Sequence, residues 1–140
     1  MRRVAVRTEE PDYVIEAEAV RLGADVLVYI WGGERPHIGS VAAAQPRPSL
    51  SDPNRISATA SVLTFPGHKE DVVVKLAAET LAARLQANIV VTAGIHWDNL
   101  PAQGISLVMD RCGEIIRLLG QRLEDGDKGS APATERPDTI

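Results

Sequence analysis

The chain has 140 residues and a net charge of -4, from 15 Lys and Arg against 19 Asp and Glu. This length suits one domain with its own core, and a hydrophobic content of 44% is ordinary for a globular protein. The body carries no cluster of Lys and Arg, which argues against a nucleic-acid binder, and a single cysteine excludes an internal disulfide.

The first half of the chain contains four segments that are typical of β-strands, either by apolar–polar alternation or by β-branched and aromatic content. They predict strands at residues 12–21, 26–31, 38–45 and 56–65. The polar faces of the first and fourth strands carry Glu16, Glu18, Ser57, Thr59 and Ser61. We therefore expect one face of the sheet to be polar and the helices to pack on the other.

The apolar period changes in the second half of the chain. Its spacing predicts a helix over residues 68–85, an interior fifth strand over 89–95 and a last helix over about 101–123. Residues 124–140 are polar and rich in Gly and Pro, which predicts a disordered tail. The fold class expected for residues 1–123 is a single α+β domain, a two-layer sandwich. Its mainly antiparallel sheet has about five to six strands, with two helices on one face.

Membrane and export signals are not evident in the sequence. No apolar run reaches the roughly 18 residues of a membrane span. The first seven residues are charged too early for a signal peptide, and Cys112, the single cysteine, suits a reducing compartment. We expect a cytoplasmic protein that binds neither membranes nor nucleic acid.

Three windows of the chain hold all three histidines, both tryptophans and the single phenylalanine: residues 31–40, 64–71 and 94–99. In an antiparallel meander the second and fourth strands end at the same edge of the sheet. A helical crossover makes the fifth strand run parallel to the fourth and end there too. The three windows should therefore converge at one end of the sheet.

The side chains in these windows are suited to a planar ligand with an anionic group. Residues 67–69 place a glycine and a lysine at a helix N-terminus, where phosphates and carboxylates bind. Gly32 and Gly33 allow close backbone approach, and Arg35 can pair with an anion. The tryptophans offer flat apolar surfaces for a ring. A phosphorylated heterocycle, such as a flavin mononucleotide or another nucleotide, is the predicted ligand class.

The windows also contain three motifs that occur in this order. They are Gly-Gly-Glu-Arg-Pro-His-Ile-Gly-Ser at 32–40, Leu-Thr-Phe-Pro-Gly-His-Lys-Glu-Asp at 63–71 and Ala-Gly-Ile-His-Trp-Asp-Asn at 93–99. Together they resemble the LpdD-like prenylated-flavin chaperone family, small proteins associated with UbiD-type decarboxylases and formerly described as a component of gallate decarboxylase. The resemblance covers roughly residues 11–120.

The resemblance implies a proteasome-assembly-chaperone-like fold and a homodimer. It also implies an accessory protein that is not an enzyme, and that binds prenylated FMN (or FMN) and stores or delivers it to a UbiD-type decarboxylase. A UbiX-type flavin prenyltransferase is a possible second partner. The expected cofactor-binding residues are Trp31, Gly33, Arg35, His37, Gly67, His68, Lys69, His96, Trp97 and Asp98. No residue is assigned as catalytic or as a metal ligand.

Two other functions stay open at this point. His37, His68 and His96 could form the three-histidine zinc site of a metal-dependent enzyme, with Asp98 or Glu70 as the base. The relatives by fold would instead suggest a ligand-free assembly chaperone. For Trp97 a second interpretation is also open, because this residue could fill the core beneath the last helix.

Overall fold

The computed structural model describes residues 2–127. Six strands and two helices follow one another as β1 (Arg3–Arg7), β2 (Ile15–Leu22), β3 (Asp25–Gly33), β4 (Ser40–Pro48), β5 (Ile56–Thr64), α1 (Asp71–Leu85), β6 (Ile89–His96) and α2 (Ala102–Asp127). Within this part of the chain, neither helix combines the length and the apolarity needed to cross a bilayer.

The six strands form one sheet in the order β1-β2-β3-β6-β4-β5. Only β3 and β6 pair in parallel; the other four neighbouring pairs are antiparallel. The predicted fold class, a mainly antiparallel α+β sandwich, is confirmed. The simple meander is wrong, because the chain returns through α1 and inserts β6 between β3 and β4. The predicted direction of each strand is nevertheless correct.

Both helices pack on the same face of the sheet. Helix α1 contacts β4, β5 and β6, while α2 contacts β1 and β2. On this face the strands bury small and branched side chains, such as Ala17, Val28, Ala42 and Val91. Alanines let the helices approach the sheet closely, and each larger apolar side chain buried there contributes about 1.5–3 kcal/mol.

The opposite face, which we call the open face, is covered by no helix of residues 2–127. Strand β3 shows the alternation, since Val26, Val28 and Ile30 are buried and the residues between them are half-buried. By the same alternation Glu16 and Glu18 lie on the open face of β2. The predicted polar residues of β2 therefore lie on this face, but the central strand β3 places Leu27, Tyr29 and Trp31 there.

Strand β1 was not predicted from the sequence. It pairs antiparallel with β2 at the edge of the sheet and buries only Val4. Arg3 and Arg7 flank it and are exposed, and exposed charges of this kind discourage pairing with another edge.

The predicted start of α1 at residue 68 is wrong by three residues. The chain first turns at Gly67, whose φ is +84°, and the His68 amide donates to the Phe65 carbonyl at 3.2 Å. A left-handed φ of this kind suits glycine. Helix α1 consequently begins at Asp71, and Lys69 precedes the helix instead of lying in its first turn.

Helix α2 also differs from its predicted length. It continues to Asp127, four residues beyond its predicted end at 123. Ion pairs hold this last turn, because Arg84 contacts Glu124 at 2.7 Å and Arg2 contacts Asp127 at 3.6 Å. The rest of the predicted disordered tail, 128–140, lies outside the described residues.

Candidate functional site

The three windows converge at one end of the sheet, where β3, β5 and β6 all finish. We call this the loop end. Backbone hydrogen bonds join the windows there: Glu34 donates to the His96 carbonyl at 2.8 Å, and Phe65 donates to the Gly39 carbonyl at 2.9 Å. The loop from β3 to β4 must cross the end of β6 because β6 lies between them. The crossing places residues of all three windows in direct contact.

Glu70 is the centre of one group of side chains at the loop end. Its Oε1 lies 2.9 Å from His37 Nε2 and accepts the Ile95 amide at 3.2 Å. Its Oε2 lies 3.9 Å from His68 Nδ1, and the two imidazole centroids are 4.7 Å apart. We call His37, His68 and Glu70 the Glu70 cluster. It joins the β3–β4 loop to the start of α1.

Two glycines make room for this cluster. A Cβ on Gly39 would stand 2.2 Å from Glu70 Oε2, and a Cβ on Gly94 would stand 1.6 Å from the His37 carbonyl oxygen. Real Cβ atoms do not approach other atoms so closely. Glycine at both positions therefore lets the Glu70 carboxylate and the His37 backbone lie against the end of the sheet.

Asp98 is the centre of a second group, which is more exposed. Its Oδ1 lies 2.8 Å from His96 Nε2 and accepts a hydrogen bond from Arg35 Nη2 at 2.9 Å. The hydrogen bond with His96, followed by the contacts with Glu34 and then Arg35, holds the pKa of Asp98 below its ordinary value. We call Arg35, His96 and Asp98 the Asp98 cluster. Arg35 also links the clusters, since its carbonyl lies 2.7 Å from His37 Nδ1.

The two tryptophans lie on opposite faces of the sheet. Trp31 follows the open-face alternation of β3 and stacks on Tyr29 with centroids 5.8 Å apart. A hydrogen bond to Glu18 raises the pKa of Tyr29. Trp97 instead packs against the core and meets Tyr13 edge-to-face at 5.3 Å. The core position of Trp97 corresponds to the second interpretation that the sequence left open for this residue.

Comparison with known proteins identifies the family. The model of the prenylated flavin chaperone LpdD-like domain matches residues 9–124. The chain belongs to this family. It is 24% identical over 117 residues to Protein LpdD of Lactiplantibacillus plantarum, with 80% of this chain and 79% of that protein covered. Among solved structures it resembles a chain of a novel chaperone complex for yeast 20S proteasome assembly. The TM-score is 0.56 and the identity 10%, over 87% of this chain and 97% of the other, so the likeness concerns the fold.

In this LpdD-like chain the three-histidine zinc site is not assembled. Among residues 2–127, the group with metal-ligand geometry is His37, His68 and Glu70, and Glu70 takes the place expected for His96. His96 belongs to the Asp98 cluster instead. Sequence reasoning named Glu70 only as a possible base. Its burial, with 7% of its surface exposed, was not evident from a position so close to a helix start.

The predicted anion site at the start of α1 is altered in the LpdD-like structure. Glu70 occupies the N-cap position and Asp71 the first turn, so two carboxylates already complement the positive end of the helix dipole. Lys69 is exposed just before them. The Arg35 side chain is also exposed, by 67%. These two cations, more than the helix N-terminus, are available to an incoming anion.

Two cavities lie away from the clusters. One, of about 640 Å³, is lined by β4, β5 and β6 at the opposite end of the sheet, including Arg47, Thr59 and Asn88. The other, of about 550 Å³, is a groove between β5 and α1 that includes Val62 and Leu76.

Proposed function

We propose that this protein is a non-enzymatic accessory chaperone that binds prenylated FMN, or FMN, at the loop end. It would store the cofactor or deliver it to a UbiD-type decarboxylase. The observation that carries the proposal is the convergence of three separated windows on one end of the sheet. Membership of the LpdD-like family supports the choice of ligand, because the family description names a prenylated flavin.

Charge supports an anionic group at this end. Lys69 and Arg35 are both exposed there, and exposed Lys and Arg side chains are the usual partners of phosphate. Asp98 neutralises Arg35 in part at 2.9 Å. A phosphate would therefore compete with Asp98 for the Arg35 guanidinium. Lys69, which forms no ion pair among residues 2–127, would provide a second positive charge. Gly33, Gly67, His37, His68, His96 and Asp98 stay in the proposed binding surface with them.

Aromatic surface supports a ring next to the loop end. Trp31 and Tyr29 stack on the open face close to the point where β3 ends, and flavin rings stack readily on such surfaces. We assign Trp97 a structural role, because it packs against the core and supports the loop that follows β6. No helix of residues 2–127 covers the open face, and a second copy of the chain would cover it and complete a homodimer.

The proposal can be tested with purified protein, prenylated FMN and FMN under anaerobic conditions. We expect quenching of flavin fluorescence at micromolar protein. We also expect an apo UbiD-type decarboxylase to gain activity faster from the loaded protein than from free cofactor. Co-expression with a UbiX-type flavin prenyltransferase should yield protein that carries flavin absorbance. Absence of binding, or equal activation by free cofactor, would contradict the proposal.

A further inference from the structure

The Glu70 cluster has the composition and spacing of a metal site. It offers a nitrogen from each of His37 and His68 and a carboxylate oxygen from Glu70, and these donor atoms lie within 4.8 Å of one another. Donors about 2.0–2.1 Å from a tetrahedral zinc ion lie about 3.3 Å apart. Glu70 Oε1 lies 2.9 Å from His37 Nε2, and Glu70 Oε2 lies 3.9 Å from His68 Nδ1. One distance is shorter and the other longer than that separation.

The two ring nitrogens of His37 each face an oxygen atom. His37 Nδ1 lies 2.7 Å from the Arg35 carbonyl, which can only accept, so Nδ1 carries the hydrogen. In the neutral ring Nε2 then has a lone pair, and it faces Glu70 Oε1 at 2.9 Å. That oxygen also accepts the Ile95 amide. Either a proton on Nε2 or a metal ion bound to both atoms would satisfy the two lone pairs. A backbone carbonyl on the distal nitrogen is the usual support of a metal-bound histidine.

The second oxygen of Glu70 supplies an independent observation. Glu70 Oε2 is buried without a hydrogen-bond partner among the described residues, and the Glu70 side chain is only 8% exposed. A buried carboxylate oxygen without a partner is costly. His68 Nδ1, at 3.9 Å, is too far away to form a hydrogen bond with it. A metal ion between His68 and Glu70 would provide the missing partner.

We propose that His37, His68 and Glu70 bind a divalent transition-metal ion, with Zn²⁺ as the representative ion. Two imidazole donors and one carboxylate favour zinc or a similar transition metal over Mg²⁺ and Ca²⁺, which prefer oxygen ligands. The His37 and His68 side chains are 23% and 37% exposed, so an ion can enter from solvent. Three protein donors leave at least one coordination position open.

The test uses the full chain freed of metal by a chelator and then titrated with ZnCl₂ in the absence of flavin. We expect one Zn²⁺ per chain, measured by calorimetry and by elemental analysis after gel filtration. Co²⁺ should give visible absorption bands characteristic of a site with mixed nitrogen and oxygen donors. Because no flavin is present, this result is independent of the proposed cofactor binding.

Variants assign the site to the cluster. His68→Ala removes a partly exposed ligand, and Glu70→Gln keeps the shape of the buried side chain. Each should lower Zn²⁺ affinity by more than about 10-fold, the lower limit for losing even a supporting group of a metal site. His96→Ala is the matched control, since His96 pairs with Asp98 and should leave the affinity unchanged. Circular dichroism checks that each variant is folded. If Glu70→Gln does not fold, His68→Ala alone tests whether the Glu70 cluster binds Zn²⁺.

Three results would overturn the proposal. They are no stoichiometric binding of Zn²⁺ or Co²⁺ by the wild type, binding that persists in a His37→Ala/His68→Ala double variant, and an equal loss of affinity in His96→Ala. The second would show that the ion does not need the two histidines of the Glu70 cluster, and the third that His96 contributes as much as they do.

Discussion

Gly94 controls where the loop between β3 and β4 can lie. A Cβ there would stand 1.6 Å from the His37 carbonyl oxygen, whereas a Cβ on Gly113 would have nothing within 4 Å. We expect Gly94→Ala to lower the free energy of unfolding by about 1–3 kcal/mol, the usual cost of overpacking. Gly113→Ala, inside α2, should raise it by up to about 1 kcal/mol. Urea denaturation of both variants measures the difference, and equal stabilities would contradict this account of Gly94.

Lys69 is the exposed cation nearest the Glu70 cluster along the chain. We expect Lys69→Ala to weaken binding of prenylated FMN by about 5-fold or more, in line with a charge-assisted hydrogen bond to phosphate. Lys75→Ala is the control, because Lys75 pairs with Glu79 at 3.1 Å on the side of α1. Fluorescence titration compares the two variants. Equal affinities would remove Lys69 from the phosphate site.

Cys112 lies fully buried on α2, and burial raises the pKa of its thiol to about 12. Because the folded-state pKa is raised, the stability linked to this proton is present below pH 9 and is lost as the pH rises towards 12. At pH 8 we expect the folded protein to react with a disulfide reagent at least about 100-fold more slowly than the urea-unfolded chain. Rapid reaction of the folded protein would show that α2 opens easily.

Single residues also show how far the sequence could predict the site. The three windows and their convergence follow from residue type and strand direction. The division into a Glu70 cluster and an Asp98 cluster does not, because it depends on which carboxylate each histidine meets. The sequence left two interpretations open for Trp97 and could not choose between them, since this residue follows a strand and its direction depends on packing against Tyr13.

At the scale of elements, alternation and helical period identified five of the six strands and both helices. Strand β1 was missed although Val4 and Val6 alternate with exposed residues, because the segment is only five residues long and both of its end residues are arginines. The insertion of β6 between β3 and β4 was missed for another reason. Strand pairing over such sequence distances is decided by packing of α1 and not by local pattern.

Contacts between the helices also explain why α2 is longer than predicted. Arg84 of α1 donates to both carboxylate oxygens of Glu124, at 2.7 and 3.0 Å. Both side chains are about one-third exposed, so the pair contributes about 0.5 kcal/mol or less. We expect Arg84→Gln to speed amide exchange in residues 124–127 and to leave the start of α2 unchanged. Unchanged exchange in the last turn would mean that other contacts hold it.

At the scale of the whole molecule, the open face is a broad sheet surface that no helix of residues 2–127 covers. It carries the stacked Tyr29 and Trp31 together with a polar border. Symmetric pairing of two copies is the commonest way to cover such a face. It would also bring the Trp31 residues of two chains onto one interface, so that aromatic surface from both copies could meet a ring that one chain alone cannot enclose.

A homodimer through the open face gives a measurable prediction. Light scattering at micromolar concentration should return twice the chain mass of 15.1 kDa. Ala43 lies exposed on the open face of β4, so Ala43→Arg should bring two like charges together across a two-fold axis and shift the protein to monomer. Gln103 is exposed on α2, which packs on the face of the sheet opposite the open face. Gln103→Arg should therefore leave the dimer intact. A wild-type monomer would contradict the homodimer. A dimer that tolerates Ala43→Arg and not Gln103→Arg would place the contact between copies on another surface and would leave the open face for a different partner.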